Sequence, residues 1–287
     1  MIRLPIAIAF LGTLVACSPS QEPNSAGPKP AMTLESAVAG SWRDSANVAR
    51  DKWRHPLQTL AFFGVNPQQT VIEITPAYGW YAEILAPLLK EHGHYIAAVI
   101  SPDSAVKGSD KGYYGKQLKA LQRKFDASAE IYGSPDVRLF AEAKPNFGEP
   151  ASADLVLTFR NVHNWREANT VALMFKGIFE VLKPGGSLGL VEHRANGAVA
   201  DDDGSGYIGQ NQLIAWAAAA GFVLQAASEI NANPADSKDH EGGVWSLPPG
   251  FSQGSKNRDK YAAIGESDRM TLRFLKPETA SSVIRKN

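Results

Sequence analysis

The body of the chain alternates between two hydrophobic periods. Short apolar runs, such as residues 70–74, predict buried strands, and apolar residues spaced three or four positions apart between the runs predict helices. Strands and helices in alternation build a largely parallel sheet with helices on both faces. We therefore predict an α/β domain over residues 65–276 with a seven-stranded, mostly parallel sheet. The predicted strands are residues 70–74, 95–100, 137–141, 154–159, 187–192, 222–226 and 270–275.

Three segments lie outside this alternation. Apolar residues recur at helical spacing from Val38 to Trp53, which predicts a leading helix within an N-terminal helical extension, residues 34–64. Residues 229–268 are polar and contain several Gly and Pro residues, and a loop of this length is usually functional or disordered. We interpret this segment as a lid-like insertion, and residues 277–287 as a C-terminal tail.

A short apolar run at the start of the chain has the features of an export signal. Residues 4–15 are apolar, follow Arg3 and are too few to span a bilayer. The run ends in Leu-Val-Ala-Cys17, which resembles the bacterial lipoprotein signal. That resemblance implies a signal peptide over residues 1–16 and acylation of Cys17. Several acyl chains together hold a protein stably on a membrane.

Composition agrees with an exported, tethered domain. Residues 17–33 are rich in Ser, Pro, Gly, Asn and Gln, which predicts a flexible tether. Cys17 is the only cysteine, so the fold has no disulfide. We expect a protein that is lipid-anchored to the cell envelope, at the outer membrane facing the periplasm. Lysine plus arginine equals aspartate plus glutamate at 29 each, so net charge does not favour nucleic-acid binding.

Two motifs in the body carry a family resemblance. The first is the strand, turn and helix Val71-Ile-Glu-Ile-Thr-Pro-Ala-Tyr-Gly-Trp-Tyr-Ala-Glu83, placed where a doubly wound sheet binds its ligand. The second is Leu182-Lys-Pro-Gly-Gly-Ser-Leu-Gly-Leu-Val-Glu192, a Pro-Gly turn that leads into the fifth strand. Together they resemble the class I S-adenosylmethionine-dependent methyltransferases, from about Val65 to Lys276. From Trp42 onward the chain also resembles a methyltransferase-like family of bacterial envelope lipoproteins.

The resemblance implies a Rossmann-like class I methyltransferase sandwich with S-adenosylmethionine as its cofactor. Glu73 matches the family's acidic residue at the first strand, and Gly79 matches its Gly-rich turn. Ala77 replaces a glycine that is common in the family, and Ser-Pro-Asp103 stands where a ribose-binding carboxylate usually follows the second strand. The alternative is that Glu73 and Gly79 serve the turn alone. The cofactor-binding residues that the resemblance implies are Glu73, Thr75, Pro76, Ala77, Gly79, Trp80, Asp103 and Glu142.

A polar and aromatic cluster follows the fourth strand, at the sheet edge where such enzymes bring substrate and cofactor together. Methyl transfer needs an in-line approach and often a base, and histidine can accept a proton near neutral pH. We assign His163 as the candidate base, with Asn161 and Arg160 as the other candidate catalytic residues. The alternative is a histidine that only bonds the following helix. The candidate substrate-binding residues are Trp165, Glu192, His193 and Tyr207, although Glu192 and His193 also suit a salt-bridged strand end.

Two functional hypotheses follow. The first is a methyltransferase that uses S-adenosylmethionine on an unidentified small molecule. The second is an envelope lipoprotein that kept the fold, lost or changed the cofactor site and acts as a binding module; the departures at Ala77 and residues 101–103 favour it, as does export from the compartment where the methyl donor is made. Dehydrogenase and hydrolase motifs are absent. We expect no metal site, because His92 and His94 lack a third ligand in the sequence.

Overall fold

The computed structural model describes Met1 and residues 31–104 and 111–278. The predicted signal peptide, Cys17, most of the tether and most of the C-terminal tail lie outside the described residues. Seven strands form one sheet. They are β1 (Thr70–Ile74), β2 (His94–Ile100), β3 (Asp136–Phe140), β4 (Ala153–Phe159), β5 (Leu182–His193), β6 (Val223–Ser228) and β7 (Arg269–Leu275).

The strand order is β3-β2-β1-β4-β5-β7-β6, and β7 runs antiparallel to both of its neighbours. The remaining pairs are parallel, for example Ile72 beside Ile96 of β2 and Val156 of β4. This arrangement confirms the predicted seven-stranded, mostly parallel sheet. The chain order reverses between β1 and β4, and in such sheets the crevice outside the carboxyl ends of the strands at the reversal binds ligands.

Helices cover both faces of the sheet. Alternate residues of β1 point to opposite sides, so Ile72 packs with Phe175 and Leu213 on one face and Val71 packs with Leu60 on the other. None of the described helices is both long enough and apolar enough to cross a membrane. The helices are α1 (Leu34–Val38), α2 (Ser45–Val48), α3 (Asp51–Arg54), α4 (Pro56–Phe62), α5 (Ala82–Leu89), α6 (Lys111–Ala127), α7 (Ala129–Tyr132), α8 (Val162–Glu167), α9 (Val171–Val181), α10 (Gln210–Ala219) and α11 (Arg258–Ile264).

The N-terminal extension consists of four short helices, α1 to α4, where the apolar spacing predicted one leading helix. The chain turns between α1 and α2 at Gly40. The ring of Trp42 lies so close to this residue that a Cβ on Gly40 would be 2.2 Å from a ring atom, so a larger residue would not fit there. His55 adopts a positive φ of 41° and Pro56 then begins α4, because proline suits the first turn of a helix. The spacing of apolar residues therefore predicted helical structure, and it did not predict where one helix ends and the next begins.

The segment of residues 229–268 is fastened to the domain by buried hydrogen bonds. Nδ2 of Asn231 donates to the hydroxyls of Thr59 and Thr271, at 3.0 and 2.9 Å. The carboxylate of Asp236 accepts bonds from the Tyr207 hydroxyl and from the Asp268 amide. These polar residues therefore fix both ends of the predicted lid-like insertion to the domain.

Candidate functional site

A cavity of about 540 Å³ opens at the carboxyl ends of β1 and β4, where the strand order reverses. Its volume lies within the usual range for small-molecule sites. The walls come from the β1–α5 turn, the start of α6, the β4–α8 turn, the end of β5 and the segment after β6. The predicted site residues that line the cavity are Glu73, Thr75, Pro76, Ala77, Trp80, Arg160, Asn161, His163, Trp165 and His193.

The turn after β1 keeps the cavity open. Thr75 and Ala77 adopt left-handed backbone angles, with φ of 49° and 53°, and Gly79 follows at 80°. Left-handed angles cost roughly 1–3 kcal/mol in residues other than glycine, and they cluster at functional sites. Tyr78 turns outward, with 53% of its surface exposed. Neither Tyr78 nor the Ala77 methyl group fills the space next to the strand.

Two oxygens on this side of the cavity lack partners. Thr75 Oγ1 and Gln117 Oε1 are buried and make no hydrogen bond within the described part of the chain. Gln117 lies on α6, is 2% exposed and lines the cavity. A buried oxygen without a partner costs about 1–3 kcal/mol, so each such atom calls for an explanation. Both oxygens are placed to accept hydrogen bonds from a ligand.

Glu73 is buried at the base of the same wall. The hydroxyl of Tyr95 donates a 2.7 Å hydrogen bond to its carboxylate. Burial raises the pKa of Glu73 to about 7, while this hydrogen bond and the charge of Arg160 act in the opposite direction. The side chain is therefore only partly ionised at neutral pH, and it can accept or release a proton there.

His163 and Glu192 form a buried pair on the opposite wall. His163 Nδ1 lies 3.0 Å from Glu192 Oε1, which also accepts the His193 amide at 2.9 Å, while Oε2 accepts the Val162 amide at 2.6 Å. Because both carboxylate oxygens act as acceptors, His163 Nδ1 carries the proton and Nε2 is the basic nitrogen. Glu192 itself does not line the cavity and orients the ring from behind.

His193 extends the pair into a cluster. Its ring lies 5.3 Å from that of His163, and its Nδ1 is 2.5 Å from Ser267 Oγ. Burial lowers the pKa of His193 well below its usual value, and His163 and nearby arginines add to this effect. His163, Glu192 and His193 bring three potential metal ligands within 4.8 Å of one another, a grouping that the sequence did not foresee. Nδ1 of each histidine and both Glu192 oxygens are already engaged in protein hydrogen bonds, and the neighbouring arginines oppose a cation.

Three arginines pair with the carboxylate of Glu266 near this cavity, and a fourth acts on it at longer range. Glu266 contacts Arg50, Arg54 and Arg269 at 2.6, 3.3 and 3.1 Å. Their charges hold the pKa of Glu266 at about 2, against the effect of burial. Arg160 is the fourth cation: burial lowers its pKa, with Glu266 acting in the opposite direction.

The remaining predicted site residues lie outside the cavity lining. A Cβ on Gly79 would meet Leu121 of α6, so this glycine serves the packing of the turn. Asp103 is exposed and pairs with Lys111 at 2.5 Å. Glu142 and Tyr207 are buried away from the lining, and Tyr207 donates to Asp236. None of these four residues lines the cavity.

Sequence reasoning did not single out several lining residues. Tyr81 stacks on Phe159 with ring centroids 3.6 Å apart, and burial raises its pKa to about 12. Gln117 had no signal beyond a polar residue on the apolar stripe of a helix. Trp245 belongs to the predicted lid-like insertion, and its ring lies 5.3 Å from that of His163.

Comparison with known proteins supports the fold. No family model matches the chain, and no curated protein does. A S-adenosylmethionine-dependent methyltransferase from Aquifex aeolicus superposes with a TM-score of 0.53 at 13% identity, covering 85% of this chain and 99% of that chain. The [4+2]-cyclase SpnF gives 0.55 at 16%, covering 86% and 92%. A Galdieria sulphuraria structure assigned as a sarcosine dimethylglycine methyltransferase gives 0.51 at 15%, covering 82% and 92%.

At these identities the likeness is one of fold. The chain has the Rossmann-like sandwich of the class I S-adenosylmethionine-dependent methyltransferases, as the sequence motifs implied. The cyclase shows that this fold also carries another reaction, so function has to be argued from the site.

Proposed function

We propose that this protein is an S-adenosylmethionine-dependent methyltransferase that acts on a small molecule. The observation that carries the proposal is the pair of buried, unpartnered oxygens, Thr75 Oγ1 and Gln117 Oε1, in a cavity at the strand-order reversal. Such oxygens need hydrogen-bond donors, and the ribose hydroxyls and the adenine amino group of the cofactor are donors of this kind. The fold shared with solved methyltransferases supports the same ligand.

The residues present fit this cofactor despite two departures from the family pattern. Ala77 lines an open turn and does not block it. Asp103 points to Lys111, so the ribose-binding carboxylate of the family has no counterpart at that position. Gln117 supplies a neutral acceptor on the same side of the cavity. We assign Glu73, Thr75 and Gln117 as the polar residues that would hold the cofactor.

The chain's own contribution to methyl transfer lies on the opposite wall. S-adenosylmethionine, when bound, supplies an electrophilic methyl group. Nε2 of His163 accepts the proton of the acceptor atom, and Glu192 stabilises the imidazolium that results. Trp245, beside His163, and the stacked rings of Tyr81 and Phe159 exclude water from this region.

Isothermal titration of S-adenosylmethionine into the full chain, held in detergent micelles, tests the proposal. We expect saturable binding below millimolar ligand. Gln117→Leu keeps the size of the side chain and removes its acceptor, so affinity should fall about tenfold, equivalent to about 1.4 kcal/mol. Lys119→Ala, on an exposed position of α6, is the matched control and should bind as the parent does. Absence of binding at millimolar ligand contradicts the proposal.

The binding-module hypothesis has one structural observation in its favour. Asp103 is the only carboxylate among the described residues 101–104 after β2, and its ion pair with Lys111 directs it away from the role that the family gives to a ribose-binding acid. A protein of this kind would take another ligand in the cavity. Mass spectrometry of small molecules that co-purify with the native protein distinguishes the two: retained S-adenosylmethionine or its demethylated product supports the enzyme, and an unrelated ligand supports the binding module.

We also propose that the chain is exported and lipid-anchored through Cys17, at the outer membrane facing the periplasm. The support is the apolar run that ends in Leu-Val-Ala-Cys17. Labelling bacterial cells with an alkyne-bearing fatty acid should tag the protein, and Cys17→Ser should remove the tag and release the protein from the membrane fraction. Labelling that persists in Cys17→Ser contradicts the proposal. An enzyme in that compartment would depend on exported cofactor.

A further inference from the structure

Arg160 is a cation that faces the cavity without a protein partner. It is the first residue after β4, has a φ of 62° and donates its amide to the Val191 carbonyl at 2.7 Å. This strained backbone fixes the residue where the strand ends. Its side chain lines the cavity, and its guanidinium makes no hydrogen bond or ion pair with residues 31–104 or 111–278.

The carboxylate that acts most strongly on Arg160 is already engaged. Glu266 is surrounded by Arg50, Arg54 and Arg269 at ion-pair distance. Arg160 therefore adds a cation to a region that already has more arginines than carboxylates. Arg160 is only partly exposed, and a cation withdrawn from water without a counter-ion is costly, so a ligand that supplies the opposite charge would stabilise it.

Glu73 does not provide the missing charge. Its carboxylate accepts the Tyr95 hydroxyl, and burial raises its pKa to about 7, so it is only partly ionised at neutral pH. Neither carboxylate forms a direct ion pair with Arg160, although both interact with its charge at longer range.

We infer that the methyl acceptor carries an anionic oxygen group, of the carboxylate or phosphate kind, that pairs with Arg160. The planar guanidinium offers two parallel N–H donors, which match the two oxygens of such a group. His163 lines the same cavity, so one small molecule can place its anionic group at Arg160 and its nucleophilic atom at the base. The inference rests on the proposed function only in naming this molecule the methyl acceptor.

Benzoate and benzamide are matched probes, because they share size and planarity and differ in charge. Binding of each to the full chain in micelles is measured by ligand-observed NMR competition at constant ionic strength, with phenyl phosphate as a second anion. We expect at least one anion to bind about tenfold more tightly than benzamide. Arg160→Gln should abolish this preference, Arg160→Lys should keep part of it, and exposed Arg123→Gln should keep all of it. Thermal melting checks that each variant is folded.

The same titrations with saturating S-adenosylhomocysteine separate the acceptor from the cofactor, whose methionyl part also carries a carboxylate. Anion binding that persists beside S-adenosylhomocysteine supports the inference. The inference is overturned if the anions show no preference that depends on Arg160, or if S-adenosylhomocysteine displaces them and Arg160→Gln weakens its own binding equally. An anion preference in a protein that binds no S-adenosylmethionine would keep the anion site and remove the proposed methyltransferase activity.

Discussion

At the β4–β5 wall of the cavity Glu192 holds the neighbouring polar groups in place, whereas at the β1–α6 wall two buried oxygens have no hydrogen-bond partner among the described residues. Glu192 accepts hydrogen bonds from the Val162 and His193 amides and from His163. Across the cavity, the oxygens of Thr75 and Gln117 accept none within the described residues. We interpret the first wall as pre-organised to act on a bound molecule and the second as completed by the molecule itself.

The largest expected effect comes from removing Glu192, which accepts hydrogen bonds at the β4–β5 wall. Glu192→Ala leaves buried amide donors without an acceptor, and each costs about 1–3 kcal/mol, so the free energy of unfolding should fall by roughly 3–5 kcal/mol. Urea denaturation followed by circular dichroism measures it. Glu229→Ala is the control, because Glu229 is exposed and its ion pair with Arg194 should contribute about 1 kcal/mol or less. Equal losses in both variants would show that the Glu192 network is not structural.

The next substitution, at Glu73 on the β1–α6 wall, should raise the free energy of unfolding instead of lowering it. Between pH 4.5 and about 7 folded Glu73 keeps a proton that the unfolded chain loses, so its ionisation lowers stability as pH rises through this window. Glu73→Gln should therefore raise the free energy of unfolding at pH 8, by up to about 3 kcal/mol, and have little effect near pH 4. Denaturation at both pH values measures the difference, and an effect independent of pH would contradict the assignment of burial as the cause.

A smaller effect tests the turn between β1 and α5. Gly79 has a φ of 80°, and a Cβ there would lie 2.8 Å from Leu121 Cδ1, so Gly79→Ala should destabilise the fold by about 1–3 kcal/mol. Gly115→Ala is the matched control on α6, where a Cβ has space and alanine favours the helix by about 0.5–1 kcal/mol. The two substitutions should shift the melting temperature in opposite directions. A shift in the same direction would contradict this account of the turn.

The smallest expected effect sharpens the cofactor assignment. Asp103 is exposed and paired with Lys111, so Asp103→Ala should leave the affinity for S-adenosylmethionine unchanged in isothermal titration. Gln117→Leu, measured alongside, should show the loss. A marked loss in Asp103→Ala would instead restore the ribose contact that the family resemblance implied.

The sequence predicted the sheet because burial of a strand is written locally. The apolar residues of β1 and of residues 187–192 predicted both strands without reference to the rest of the chain, although β5 begins earlier, at Leu182, and includes the Pro-Gly segment that was predicted as a turn. Site contacts are different, since they join distant positions: His163 and Glu192 are 29 residues apart, and Arg54 and Glu266 are 212 apart. Periodicity shows which face of an element is buried and does not give its neighbours, so His163 and Glu192 were predicted as site residues and their pairing was not.

The cofactor side shows the same limit in another form. The resemblance pointed to Ala77 as a departure, and the structure accommodates it with a left-handed backbone. Gln117 was not predicted, because a polar residue on an apolar stripe of α6 has no distinctive motif. Only the three-dimensional arrangement reveals that its side-chain oxygen has no hydrogen-bond partner among residues 31–104 and 111–278.

The ion pairs around Glu266 join the N-terminal helical extension to β7, the last described strand along the chain. Arg50 and Arg54 come from the helical extension, whereas Arg269 begins β7. Shortening the protein past Arg54 would remove two of the three cations at ion-pair distance from Glu266 and leave Arg269 as its remaining partner. The extension therefore supplies counter-charges to a carboxylate that acts on Arg160, as well as covering one face of the sheet.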